Sequence, residues 1–172
     1  MSTRFSGVVI GTVTNVEDPE SRGRIQVRYP WMDSTAESHW ASVAAPMAGG
    51  DSGLFFMPER DDEVLLAFEH GDFAHPYVVG FMWNGQHDTP SRDVRQRMIR
   101  SRNGHTIRFV DSTEVDGDSG ALIIEDAHHN VIAMSNGKIS IQTPGVLELS
   151  GSQVVIKAMG TTRTVLPNGR PI

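Results

Sequence analysis

Two tetrapeptides, Gly50-Asp51-Ser52-Gly53 and Gly117-Asp118-Ser119-Gly120, set a serine between an aspartate and a glycine, the form of the nucleophile segment in trypsin-like hydrolases. Acyl transfer at such a serine needs a histidine within hydrogen-bond reach and a carboxylate behind that histidine. Those enzymes hold the base far upstream in a barrel of its own, whereas the only histidine ahead of Ser52 is His39. Asp, Ser and Gly are also the residues of tight turns, and both tetrapeptides read as turns. Metal chemistry has two further candidates: Glu69-His70-Gly71-Asp72 with His75, and His128-His129-Asn130. Gly71 and Pro76 mark a turn between strands, where polar side chains are solvated, and the second group falls at another turn. The chain has no cysteine, which removes disulfides, thiolate zinc sites and cysteine nucleophiles. No phosphate loop of the G-x-x-x-x-G-K-[ST] type occurs. The expectation is a protein that is not an enzyme, with no cofactor and no resident metal.

Trp31, Trp40 and Trp83 could stack bases on a barrel surface, as single-strand binders do. Phosphate binding requires clustered Lys and Arg, and the net charge is −6. Trp40 and Trp83 are therefore expected in the core and Trp31 at a surface or interface; a single-stranded nucleic-acid module is the second reading. The one basic run is Arg92, Arg95, Arg97, Arg100 and Arg102 against Asp93, either a solvated linker or a docking strip for an acidic partner.

The elements that would position these groups are strands. Helical periodicity is weak, and glycine or proline interrupts most windows. Residues 7–16, 24–29, 39–44, 63–69 and 77–83 are β-branched or alternating runs bounded by turn residues, which predicts five strands in the first 85 or so residues. Five short strands with long connections fit a small closed barrel of OB type. The expected division is a barrel over residues 1–88, a polar linker over 89–103 and a repetitive region over 104–172. There, apolar pairs recur after each turn: Ile107/Phe109, Leu122/Ile124, Ile132/Met134, Ile139/Ile141, Leu147/Leu149 and Val154/Ile156. Asn136-Gly137, Pro144-Gly145 and Gly151-Ser152 separate the later pairs.

Such short rungs point only two side chains to one face. A single stack of them leaves that face wet and its edges unpaired. Several identical chains, each supplying one wall of a prism, would bury the pairs on a shared axis. The expected shared core is Ile132, Met134, Ile139, Ile141, Leu147, Leu149, Val154 and Ile156. The alternative is a single-chain antiparallel meander.

Gly11-x-Val13-x-Asn15-x-x-Asp18-Pro19-x-x-x-Gly23-Arg24-Ile25-x-Val27 and Trp40-x-x-Val43-Ala44-x-Pro46-x-Ala48-Gly49 resemble the barrel of the VgrG and phage baseplate-protein-V spike family. So do Gly53-Leu54-x-Phe56-x-Pro58-x-x-x-Asp62-Glu63-Val64-Leu65 and Gly71-Asp72-x-x-x-Pro76-Tyr77-Val78-x-Gly80. Ser101-x-x-Gly104-His105-x-Ile107-x-Phe109-x-Asp111 resembles the element that opens the β-helix in that family. The resemblance implies an all-β homotrimer, an OB barrel followed by an intertwined β-helix or β-prism. It would serve as the central spike of a contractile tail or injection system and help to pierce an envelope, in transient contact with the target membrane. It further implies tube, hub and baseplate partners on the barrel side, the hub being a separate protein because the barrel starts near residue 6. No secretory signal is visible, so synthesis in the cytoplasm and export within an assembled phage tail or injection particle are expected. At the far end, Val165, Leu166, Pro167 and Ile172 are expected to form a platform for a tip protein of the PAAR kind. Leu166 and Ile172 would supply the apolar surface, and the prolines would end the ladder.

Overall fold

The computed structural model describes residues 5–33, 35–112, 119–158 and 161–165, with 158 and 161–165 defined by backbone alone. The chain divides into two compact units between Thr89 and Pro90.

The first unit is built on β1 (Val8–Asn15), β2 (Arg24–Arg28), β3 (Ala41–Val43), β4 (Ala48–Gly49), β5 (Ser52–Gly53), β6 (Glu63–Phe68) and β7 (Pro76–Met82). Five of these close a barrel in the order β1-β2-β3-β7-β6, with β3 and β7 parallel and β1 sealing against β6. Alternation does the work expected of it. Ile25, Val27 and Tyr29 on or just past β2, and Val64, Leu66 and Phe68 on β6, point inward and are buried. Each such burial is worth ~1.5–3 kcal/mol. Gly11 serves the same packing, since a Cβ there would lie 2.8 Å from Leu66 Cδ1. Phe5, Tyr29, Trp31, Phe68 and Phe73 form one aromatic cluster, with Trp31 stacked on Tyr29 at a centroid distance of 5.1 Å. The ribbon β4–β5 interrupts the long connection from β3 to β6.

The second unit is an antiparallel sheet of β8 (Gln96–Arg100), β9 (Thr106–Val110), β10 (Ala121–Glu125), β11 (Val131–Ser135) and β12 (Lys138–Gln142), each strand beside its sequence neighbours. A hairpin of β13 (Val154–Ala158) and β14 (Thr161–Val165) follows. Asn136 and Gly137, at φ 48° and 72°, give the two-residue turn between β11 and β12 its twist.

One expectation needs correction here, and the pairing of the rungs within one chain is now visible. Residues 89–103 are not a plain linker, because β8 lies inside them and pairs with β9 from Gln96↔Val110 to Arg100↔Thr106. Its two apolar residues, Met98 and Ile99, are adjacent, so the segment shows no alternating signal and pairing with β9 decides its state. Within one chain, moreover, the rungs form an antiparallel meander. The pair Leu147/Leu149 lies in no strand, and Val154/Ile156 sits on the separate hairpin.

Candidate functional site

The register of the second sheet aligns its apolar pairs into two rows. One row runs Ile99↔Ile107↔Ile124↔Ile132↔Ile141, an isoleucine on every strand. The other runs Arg97↔Phe109↔Leu122↔Met134↔Ile139. Strand alternation puts both rows on the same face. Leu122 is half-buried; the other eight apolar side chains are between 39% and 70% exposed. Strands stacked about 4.8 Å apart make each row about 19 Å long, and the two rows are about 7 Å apart. The result is a narrow apolar stripe running across the strands.

Polar residues frame the stripe. Beyond the isoleucine row, Ser101, His105, Asp126, Asn130 and Thr143 share with it a groove of about 680 Å³, over which Val146 and Leu147 fold back. On the other flank Asp111 pairs with Arg97 and donates its backbone N–H to the Arg95 carbonyl at 3.0 Å. The expected core residues Ile132, Met134, Ile139 and Ile141 thus lie together on this face, and Leu147 joins the groove. Leu149 and Ile156 are exposed elsewhere, and Val154 is half-buried on the hairpin. Ile99 was missed by sequence reasoning, because β8 was.

Residues 9–83 match the family described as the type VI secretion system/phage-baseplate injector OB domain, and the match covers the closed barrel. The barrel is similar to the OB domain of VgrG and phage-baseplate spike proteins. Its relatives include the type VI secretion system spike protein VgrG3 of Vibrio cholerae, 28% identical over 95 residues, which are 51% of this chain and 9% of that protein. The spike protein VgrG1a of Pseudomonas aeruginosa is 24% identical over 125 residues, 67% of this chain and 19% of that protein. The actin cross-linking toxin VgrG1 of Vibrio cholerae is 26% identical over 95 residues, 51% of this chain and 9% of that protein. The chain spans less than a fifth of the length of these relatives.

The other candidate groups build turns. Ser52 sits on the β4–β5 ribbon beside Asp51, whose φ is 54°. The Ser119 N–H donates to Asn136 Oδ1 at 3.2 Å, while Gly117 and Asp118 lie outside the described residues. His75 Nδ1 is 3.0 Å from Asp72 Oδ2, and the Ala74 N–H and His75 together hold the Asp72 carboxyl below its ordinary pKa. Asn130 does the same for Asp126, with its side chain donating at 2.7 Å. Among the described residues, no group of three or more His, Asp and Glu is placed to hold a metal ion. Trp40 lies half-buried under Arg24, whose Cζ is 5.8 Å from the ring centroid. Trp83, expected in the core, is 66% exposed just past the end of β7. The arginine run belongs to β8 and its flanks, where Arg95 is paired with Asp93 at 3.0 Å and Arg97 with Asp111. Val165 is described by backbone alone, and Leu166, Pro167 and Ile172 lie outside the described residues.

Proposed function

We propose that this chain is a structural central spike of a contractile tail or contractile injection system, assembled as a homotrimer with the apolar stripes of three sheets meeting on a shared axis to form a β-prism. The observation that carries the reading is the stripe of nine apolar side chains. Monomers rarely expose contiguous apolar patches of this kind. Burying the exposed halves of nine such side chains gains roughly 7–13 kcal/mol per chain. The shape of the stripe favours three copies over two. Two sheets laid face to face would also take His105, Asp126, Arg95 and Asp111 out of water, where burying charged groups is costly even when they are paired. Three narrow stripes around an axis close on themselves and leave those polar flanks at the wet corners of a prism.

On this reading the barrel faces the tube, hub and baseplate, and the C-terminal end, Val165, Leu166, Pro167 and Ile172, carries a PAAR-like tip protein. The chain is the piercing element and performs no catalysis, in transient contact with the membrane it crosses. Spike relatives of the barrel support this assignment. The nucleic-acid reading has little support, because residues 1–89 carry thirteen carboxylates against five arginines. The test is to label the chain within purified particles and image them. Label confined to one end of the inner tube is expected; label along the sheath, or particles that lack the chain, would contradict the proposal.

A further inference from the structure

We infer that each corner of the assembled prism is set by His105 of one copy meeting Asp111 of the next, a pair that fixes the copies at equal height. The inference rests on the threefold reading above and adds the residues that would lock its register.

His105 immediately precedes β9 and Asp111 immediately follows it, so the five residues of that strand, about 20 Å of extended chain from end to end, separate them. Both lie on the face of the apolar stripe, at its opposite flanks: His105 lines the groove beside the isoleucine row, and Asp111 holds Arg97 at the end of the other row. Rotation about an axis that crosses the strands puts each strand level with its copies. Every corner then brings one flank of a chain against the opposite flank of its neighbour, a heterologous contact that closes after three steps.

At the level of β9 this contact sets a donor against an acceptor. The Ala127 N–H donates to His105 Nδ1 at 3.3 Å, so the neutral ring carries its proton on Nε2, free to donate away from its own chain. Arg97 engages Asp111 Oδ2, and among the described residues no donor reaches Oδ1 of this carboxylate, which is 57% exposed. The adjoining levels offer no equivalent. At β10 the flanking residues are Asp126, whose carboxylate is committed to Asn130 and to the His128 N–H, and Gly120, which has no side chain. At β8 the flanking residues are Ser101, whose hydroxyl accepts from the His105 N–H of its own chain, and Arg95, which is held by Asp93, so no imidazole meets a carboxylate there.

The chain has no cysteine, so the pairing can be read by disulfide capture in the full-length protein. A disulfide needs Cα atoms within about 7 Å, which His105→Cys and Asp111→Cys in the same chain cannot satisfy. Mild oxidation of the double variant should therefore yield a covalent trimer on a non-reducing gel, while each single variant alone should yield none. A trimeric mass under reducing conditions with no such band, or with the band appearing instead for His105→Cys with Arg95→Cys, would overturn the pairing and leave the trimer standing. A monomeric mass would overturn both. Should the double variant fail to fold, co-expression of the two single variants should give covalent dimers within mixed trimers, and their absence would count against the pairing.

Discussion

Arg24 grips Asp18 at two points, Nε donating to Oδ2 at 3.0 Å and Nη2 to Oδ1 at 2.7 Å, across the turn that joins β1 to β2. The Arg22 N–H adds a third bond to Oδ2 at 2.9 Å, and the Arg24 guanidinium holds the Asp18 carboxyl well below the usual carboxylate range. The stretch Asp18-Pro19-x-x-x-Gly23-Arg24 is thus a turn built around one carboxylate, with Gly23 supplying a φ of 69°. A carboxylate depressed in the folded state stabilises it above the unfolded pKa of about 3.9 and loses that contribution as the pH falls below it. Asp18→Asn should lower the melting temperature at pH 7, and the gap from the parent should close as the pH drops below about 4. A gap that is absent at pH 7, or that persists unchanged at pH 2, would contradict this role.

Gly11 and Leu66 should be coupled. Gly11→Ala places a methyl 2.8 Å from Leu66 Cδ1 and should cost about 1–3 kcal/mol by overpacking. Leu66→Ala removes that atom but leaves a cavity, costing about 2–5 kcal/mol. In denaturant titrations the double variant should be less destabilised than the sum of the two by at least about 0.5 kcal/mol. Plain additivity would show that the contact does not limit the packing.

Gly120 should tolerate no side chain. Its φ is 74°, and a Cβ would stand 2.0 Å from the Val110 carbonyl oxygen. Gly120→Ala is expected to destabilise the second sheet by at least about 1–3 kcal/mol. Gly145→Ala, whose Cβ would meet only Thr143 Oγ1 at 3.7 Å, should stay within about 0.5 kcal/mol. Equal effects in thermal melts would contradict this account of the β9–β10 connection.

Ile124 separates a lone sheet from an assembled one. It is 43% exposed in the single chain, where a change to Asp would cost about 1–2 kcal/mol and leave the sheet folded. In a trimer Ile124→Asp gathers three carboxylates on a dry axis, so the complex should fall apart in sedimentation. Lys138→Asp, on the other face of the same sheet, should leave the mass unchanged.

The barrel was legible because its strands are inward on every second residue, as Ile25, Val27 and Tyr29 are, and Asn136-Gly137 announces its hairpin in two letters. The stripe was legible only where apolar residues are spaced by two. Ile99 sits next to Met98 among arginines, so its place in the isoleucine row depends on pairing with Ile107, which lies outside any local pattern. The aromatic cluster was hidden for a related reason: Phe5 and Phe73 reach Tyr29 and Phe68 from loops, which have no period. Trp83 carries the residue type of a core but falls one position beyond β7, where the barrel wall has ended. Leu147 and Leu149 keep the spacing of a rung but follow Pro144-Gly145 and find no strand partner among the described residues.

The mass of the native particle in solution tests the central claim most directly. Each chain weighs 18.9 kDa, and sedimentation equilibrium or native mass spectrometry of the purified chain should return three times that value over a wide range of concentrations. A persistent mass of 18.9 kDa would mean that the apolar stripe is not covered by copies of this chain, and the threefold spike would have to be abandoned.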